Sequence, residues 1–397
     1  HRGLWNLLSG FESWGRSGCG VQPEPLRAEG IGETFRQRLN LVHDHRKGPT
    51  VSRPHPAAVV ILAAGQGTRM KSEIPKVLHP MCGRTLLGHA IFAARGLAPD
   101  HIAVVVRHER DRVAAHAAEC DPGITIADQD EIKGTGRALW CGLRALPADL
   151  SGPVVVTAGD TPLLSADVLL RLLGRHEGNA VTVLTAVVPD PTGYGRIVRD
   201  AEGTVAGVVE HKDATQEQRE IAEINTSTYV FDADFLRGAI GGLDTENAQG
   251  EMYLTDVVAK AYESGAGVGS YVVEDSWLVE GCNDLVQLAA LREQMNRRTL
   301  EAWMRSGAAI VDPATTSIDV TVALAPDCRI LPGTGLYGTT SIAKGALVGP
   351  GEFTNALVGE GVDARHVVVR DAAVEAGTAL PPYTVLTGGA RAAGVSE

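Results

Sequence analysis

From Ala57 onward, short and wholly apolar runs alternate with longer segments whose apolar residues recur every three or four positions. Runs at 57–63, 101–107, 124–127, 153–158 and 180–188 have the length of buried strands. Between them, 84–96, 109–119, 135–146 and 166–175 carry the helical period. This alternation, which continues to about Asn283, predicts βαβ units and a mostly parallel sheet. Around 195–232 the runs shorten to Arg196–Arg199, Val205–Glu210 and Thr226–Phe231, as a subdomain inserted on the sheet would require. After Asn283, the residues Leu285, Val286, Leu288, Ala289, Leu291, Met295 and Leu300 mark the apolar face of a long connecting helix.

Beyond that helix the period becomes six. Ile318, Leu324, Ile330, Leu336, Ile342 and Val348 are aliphatic at six-residue intervals, and after a two-residue slip Val362, Val368, Val374, Leu380 and Leu386 resume the count. Glycine and other small residues fill the positions between. A hexad supplies one flat side of a triangular solenoid whose inward aliphatics stack coil upon coil. The pattern predicts a short left-handed parallel β-helix of about four coils.

The first 56 residues share neither period and are expected to be a disordered tail; they begin at His1 and lack the charged start and compact apolar core of a signal peptide. The whole chain of 397 residues has a formal net charge of −12, which argues against binding to nucleic acid or an anionic membrane. Basic residues should therefore gather at one anionic-ligand site. Six cysteines (Cys19, Cys82, Cys120, Cys141, Cys282 and Cys328) show no C-x-x-C and no zinc spacing, so free thiols in a cytoplasmic protein are the expectation.

The first strand ends in Gly65-Gln66-Gly67-Thr68-Arg69, followed by Pro75-Lys76. Glycines in such a turn let backbone N–H groups close around phosphate oxygens, while Arg69 and Lys76 supply charge. The turn is not a P-loop, for the chain has no G-x-x-x-x-G-K-[ST], nor a dinucleotide fingerprint, because Met70 stands where a third glycine belongs. A triphosphate cradle is the reading that remains beside an ordinary tight turn.

The pattern G-x-G-T-R-M-x(4)-P-K resembles the sugar-nucleotide pyrophosphorylases. With Gly134-Thr-Gly136, Gly159-Asp-Thr-Pro-Leu163, Gly193-Tyr-Gly-Arg-Ile197, Glu223-Ile-Asn225, Asn247-Ala-Gln-Gly-Glu251, Tyr253-Leu-Thr-Asp256 and Asp312-Pro-Ala-Thr-Thr316, the chain from about Ala57 to Leu386 is similar to one bacterial family. That family joins N-acetylglucosamine-1-phosphate uridylyltransferase to glucosamine-1-phosphate acetyltransferase activity. The resemblance implies an α/β fold, a Rossmann-like nucleotidyltransferase domain at 57–284, a connector helix at 285–307 and a truncated hexapeptide-repeat β-helix at 308–397. It implies uridylyl transfer from UTP to N-acetylglucosamine 1-phosphate with Mg²⁺ as cofactor; the triangular solenoid itself leads to the expectation of a homotrimer formed through the β-helix. In that family the longer β-helix carries a catalytic histidine and an Asn-Tyr-Asp-Gly stretch; this sequence stops soon after Pro382-Tyr-Thr-Val385 without one, so acetyl transfer is expected to be absent.

Carried over residue by residue, the resemblance assigns catalysis to Arg69 and Lys76. It gives the nucleotide to Leu62, Ala63, Ala64, Gly65, Gly67, Thr68, Gln129, Gly134 and Thr135, the sugar to Gly195, Glu210, Asn225 and Thr226, and Mg²⁺ to Asp160 and Asn283. Judged alone, Asp160 would be a turn residue or helix cap, and Asn283 the N-cap of the connector helix. Two departures from the family pattern are Arg137, where histidine is usual, and Ser227-Thr228, where Gly-Ile or Gly-Val is usual. The alternatives are a different sugar phosphate and nucleotide, or a weakened paralogue that binds sugar nucleotides or the full-length enzyme.

Overall fold

A computed structural model of the protein describes residues 55–393. The expected tail therefore lies outside the described residues except for His55 and Pro56, as do the last four residues of the chain. Seven strands form the spine of one sheet: β1 Ala58–Leu62, β2 His101–Val106, β3 Thr125–Asp128, β4 Pro153–Ala158, β5 Val181–Val187, β8 Glu223–Asp232 and β9 Val268–Val273. Their order across the sheet is β9–β5–β8–β4–β1–β2–β3. Pairs β1–β2, β1–β4, β2–β3 and β5–β9 are parallel, whereas β8 runs antiparallel between β4 and β5. Strands β6 (Arg196–Arg199) and β7 (Val205–Val209) extend from β8 as an antiparallel flap.

Helices α1 (Leu86–Arg95), α2 (Arg110–Cys120), α3 (Thr135–Arg144) and α4 (Ala166–Gly174) are the crossovers read from the sequence. Separate apolar clusters cover the two sheet faces: Val59, Ile61, Val104 and Val155 pack with α1, α2 and α4, while Val60, Val105, Val154 and Val156 pack with α3. Burial on both faces is why these strands are continuous apolar runs rather than alternating ones. Helices α5 (Ala233–Ile240) and α6 (Asp256–Glu263) and strand β9 were not resolved by the periodicity reading. Each is short, and the glycine-rich turns between them interrupt any longer period.

Helix α7 spans Leu285–Arg305 and buries Leu288, Leu291 and Leu300. Three of the seven residues assigned to its apolar face are exposed: Leu285, Val286 and Ala289. The cluster beneath this end is filled by Met70, Met81, Leu86, Leu163 and Cys282 against Leu288 and Leu291, and nothing in it lies under the opening turn.

Residues 309–392 form three ladders of short parallel strands, containing four, five and five strands, which build the left-handed β-helix. The first six hexad aliphatics all point inward, from Ile318 to Val348. The phase then differs from the sequence reading. Inward positions continue at Phe353, Val358, Ala364, Val369, Val374, Leu380 and Leu386, so sides of five residues replace several hexads. Val368 faces outward, beside buried Val369, and Val362 is buried at a corner rather than on a side. The registers Leu336↔Phe353 and Phe353↔Val369 carry the shortened coils. A slip spread over several short sides mimics a single two-residue insertion because both restore the same phase near Val374.

Phe353→Ala should destabilise the protein by about 3–5 kcal/mol through the cavity it leaves. Thr354→Ala, at the position an uninterrupted hexad would point inward, should change stability by no more than about 0.5 kcal/mol. Urea unfolding followed by far-ultraviolet circular dichroism separates the two; equal effects would contradict the five-residue side.

Candidate active site

Ligands of open α/β sheets bind outside the carboxyl ends of the strands. Strands β1 and β4 end level, with Leu62 opposite Ala158, so the turns that follow them emerge side by side. Gly159 N donates to the Leu62 carbonyl at 2.9 Å, and Ala63 N to that of Val105 at 2.9 Å. Ala64, Gly65 and Thr68 follow on this loop. Gly67 has a left-handed φ of 64°, and a side chain there would overlap the stem of Lys76. Both facts require glycine. Thr68–Met70 make one 3₁₀ turn, whose buried Met70 anchors the loop in the cluster under α7.

Lys76 begins the next 3₁₀ turn, directly after Pro75. Its Nζ forms an ion pair with Asp160 Oδ2 and donates to Asn283 Oδ1 at 3.5 Å. Arg69 Nη2 donates to the same Asn283 oxygen at 2.8 Å. The four residues assigned to catalysis and metal thus meet at one point. Cys282 N donates to the Asp160 carbonyl at 2.9 Å, which fixes the two metal-assigned segments together. Asp284, not Asn283, caps α7 by accepting from Gln287 N at 2.8 Å, and this leaves the Asn283 side chain to the site. Burial, with Asp160 nearby, pushes the Cys282 thiol up to about 11, so it is an uncharged thiol at neutral pH.

One carboxylate and one amide oxygen converging on a single ammonium make a hard-oxygen donor set aimed at one cation. A small divalent ion such as Mg²⁺, which takes few protein ligands and completes its shell with phosphate oxygens and water, fits that set. Among the described residues no cluster of three or more His, Cys, Asp or Glu offers a denser alternative.

The loop after β3 supplies a second wall. Gln129 N donates to the Val106 carbonyl at 2.9 Å, and the Gln129 side-chain amide to the carbonyls of Ile132 at 2.9 Å and Gly134 at 3.3 Å. Its amide nitrogen is therefore spent on the loop itself, and its carbonyl oxygen takes no part in these bonds. Gly134 has φ 113°, and a side chain there would overlap the backbone of Met252. Gly136 N donates to the Met252 carbonyl at 2.9 Å, and Thr135 Oγ1 accepts from Leu254 N at 3.2 Å. Arg137 grips Asp130 through Nε, which is shared between both carboxylate oxygens at 3.0 Å, and through Nη2, which donates to Oδ2; this holds the Asp130 carboxyl below its ordinary range. The guanidinium that replaces the usual histidine thus closes its own loop.

The residues assigned to the sugar gather around β7 and β8. Asn225 N donates to the Gly195 carbonyl at 2.9 Å, and a side chain at Gly195 would stand 3.5 Å from both Glu210 Oε2 and Asn225 Cβ. Glu210 accepts from Thr255 Oγ1 at 3.3 Å. Burial raises its carboxyl above the ordinary range, with Asp213, Asp256 and Glu251 adding to the effect. Ser227 sits at φ 58° where glycine would be free of strain, and its N–H donates to Asn225 Oδ1 at 3.2 Å. Thr226 departs from its assignment. It is buried, and its hydroxyl donates to the Leu184 carbonyl at 2.7 Å, which leaves that proton to the neighbouring strand.

Several residues of this region received no role from the sequence. Segment Met252–Thr255 touches both walls, through Gly136 and Thr135 on one side and Glu210 on the other. Tyr253 Oη donates to Asp213 Oδ2 at 3.2 Å, and Tyr194 Oη to Glu280 at 2.9 Å. Arg196 is 1% exposed and grips the Tyr194 carbonyl, with His211 Nδ1 at 3.3 Å. All but Met252, Asp213, His211 and Glu280 lie inside motifs already visible, so motif membership was the available signal.

Comparison with known proteins places residues 59–223 in the MobA-like NTP transferase domain family. The chain is 54% identical over 339 residues to the bifunctional protein GlmU of Pseudarthrobacter chlorophenolicus, covering 84% of this chain and 69% of that protein. It is 52% identical to bifunctional protein GlmU of Paenarthrobacter aurescens, covering 84% and 68%. It is 48% identical to bifunctional protein GlmU of Streptomyces coelicolor, covering 85% and 70%.

Because folding raises the Glu210 pKa, whatever stability this group adds is fully present in acid and is lost as pH rises through its folded value. Glu210→Gln should therefore raise the melting temperature at pH 7.5, and the gain should shrink as pH falls towards the carboxyl range. The same variant should raise KM for the sugar phosphate at least tenfold. A melting temperature lowered equally at both pH values would contradict a desolvated carboxylate.

Proposed function

Since this chain belongs to the GlmU family of N-acetylglucosamine-1-phosphate uridylyltransferases, we propose that it transfers a uridylyl group from UTP to N-acetylglucosamine 1-phosphate in a Mg²⁺-dependent reaction. The products are UDP-N-acetylglucosamine and pyrophosphate. The observation that carries the reading is the meeting of Arg69, Lys76, Asp160 and Asn283 at the carboxyl ends of β1 and β4. Within this reading 57–284 is the catalytic domain, 285–307 the connector, and 308–397 a β-helix through which three copies associate.

An oxygen of the sugar phosphate attacks the α-phosphorus of UTP, and the bond from that phosphorus to the α,β-bridging oxygen breaks. The electron pair leaves with pyrophosphate. A phosphomonoester with a second pKa near ~6 is largely dianionic at neutral pH. It needs no general base, so the absence of a Ser-His-Asp constellation from the site poses no difficulty. Alignment and charge neutralisation are what the protein must provide. Backbone N–H groups of Gly65–Thr68, with Arg69, hold the β- and γ-phosphates, and Lys76 reaches the oxygens on the reacting phosphorus. Held by Asp160 and Asn283, Mg²⁺ would neutralise charge on the triphosphate.

Gln129 and the Gly134-Thr135 turn border the base, with Ala63 and Gly65 beneath it. Glu210 accepts hydroxyls of the sugar and Asn225 meets its acetamido group. The segment from Met252 to Thr255 bonds to both walls, so closing on one ligand braces the other.

The direct test is pyrophosphate release from a panel of nucleoside triphosphates and sugar 1-phosphates with Mg²⁺. Turnover should be greatest for UTP with N-acetylglucosamine 1-phosphate, and Asp160→Asn should lower kcat by at least a hundredfold. Preference for another pair would redirect the substrate assignment, and no release with any pair would reject the catalytic reading in favour of a binding role. Residues 1–397 contain no Asn-Tyr-Asp-Gly stretch, so this polypeptide should release no coenzyme A from acetyl-CoA with glucosamine 1-phosphate. Release above background would overturn that expectation.

A further inference from the structure

We propose that Lys76 and the divalent cation compete for the same two oxygens, so that metal entry requires Lys76 to be handed over to the nucleotide's phosphates. The inference rests on the assignment of Asp160 and Asn283 as metal ligands. Its basis is geometric. Asp160 Oδ2 is engaged by Lys76 Nζ, and Asn283 Oδ1 receives both Lys76 Nζ at 3.5 Å and Arg69 Nη2 at 2.8 Å. Both of these oxygens, Asp160 Oδ2 and Asn283 Oδ1, are already bound to a cationic side chain.

A Mg²⁺ ion lies about 2.1 Å from its ligand oxygens. An ammonium hydrogen-bonded to the same oxygens would then stand roughly 4 Å or less from a doubly charged ion, in a site where the Lys76 and Asp160 side chains are only 14% and 18% exposed. That repulsion is little screened, because buried charges are poorly reached by salt and water. One of the two cations must leave. Lys76 has somewhere to go, for its stem lies against Gly67 in the proposed phosphate cradle, so its ammonium reaches either the carboxylate or a phosphate bound there. Arg69, on the cradle itself, has the same choice.

The consequence is coupled binding. Without nucleotide, metal affinity is reduced by the free energy of breaking the Lys76 ion pair; with nucleotide, the lysine gains new anionic partners and the penalty falls. By linkage, the metal in turn tightens nucleotide binding by the same factor. The exchange also delivers the catalytic ammonium to the reacting phosphorus only when metal and triphosphate are both present. Idle Lys76 is thereby kept in place by the ligand that the metal later takes.

The test measures Mn²⁺ binding to the full chain by electron paramagnetic resonance and water-proton relaxation, with and without the non-hydrolysable analogue uridine 5′-α,β-methylene triphosphate. Lys76→Met should bind Mn²⁺ at least tenfold more tightly than the unmodified protein when nucleotide is absent, and should gain less from the analogue. Lys76→Arg, which keeps a cation in place, should stay close to the unmodified protein, and circular dichroism should show all variants folded. Equal or weaker Mn²⁺ affinity in Lys76→Met, while Asp160→Asn abolishes binding in the presence of analogue, would overturn the competition but leave the metal site standing. Unchanged Mn²⁺ binding in Asp160→Asn would overturn the metal assignment and the exchange together.

Discussion

Two oxygens from distant parts of the chain point at one lysine ammonium, and the rest of the molecule can be understood as what holds them there. Asp160 leaves the end of β4, Lys76 follows the phosphate-type loop after β1, and Asn283 stands just before α7. An unshared lysine at this depth would be costly, as would an unpaired carboxylate. Their mutual neutralisation keeps the site assembled, and in the proposed reaction the same charges would bring two anionic reactants into line.

The β-helix contributes to that geometry from outside the Lys76 site. Residues Pro80–Met81 and Arg84–Thr85 form a small hairpin immediately after the Lys76 turn. Arg292 on α7 donates to the Pro80 carbonyl at 3.1 Å, and Val320 N from the first coil donates to the Cys82 carbonyl at 3.0 Å. On the other side His89 of α1 bonds the Met81 carbonyl at 2.8 Å, and burial holds its ring neutral by lowering its pKa to about 4. Asn296 ties α7 to the coil by bonding Thr316 O and Ile318 N, both at 2.9 Å. Lysine position is therefore set by a chain of contacts running from the solenoid through the connector helix into the sheet.

Much of this was legible in the residues. Fully buried strands such as Ala58–Leu62 are unbroken apolar runs, and their crossover helices repeat at the helical period, so the parallel part of the sheet could be read directly. The loop was legible because Gly67 must be glycine for two separate reasons, conformation and the stem of Lys76. What periodicity missed has physical causes. The run Thr226–Phe231 reads as part of an inserted subdomain, but it belongs to antiparallel β8 within the main sheet, where a bulge between Asn225 and Tyr229 breaks the pattern at its start. In the solenoid, inward Phe353 broke an aliphatic count, while sides of five residues shifted the phase. Thr226 looked like a ligand residue because it adjoins Asn225, yet its hydroxyl is turned to the next strand. The segment from Met252 to Thr255 has no periodic signal at all, since it joins two loops through a mixture of backbone and side-chain bonds.

The measurement closest to the heart of the matter is a crystal structure of the protein with UDP-N-acetylglucosamine and Mn²⁺, using anomalous scattering to locate the metal. The ion should peak between Asp160 and Asn283, with the Lys76 ammonium moved from the carboxylate onto the diphosphate. A peak elsewhere, or a diphosphate bound away from the Gly65–Arg69 loop, would contradict the assignment of this site.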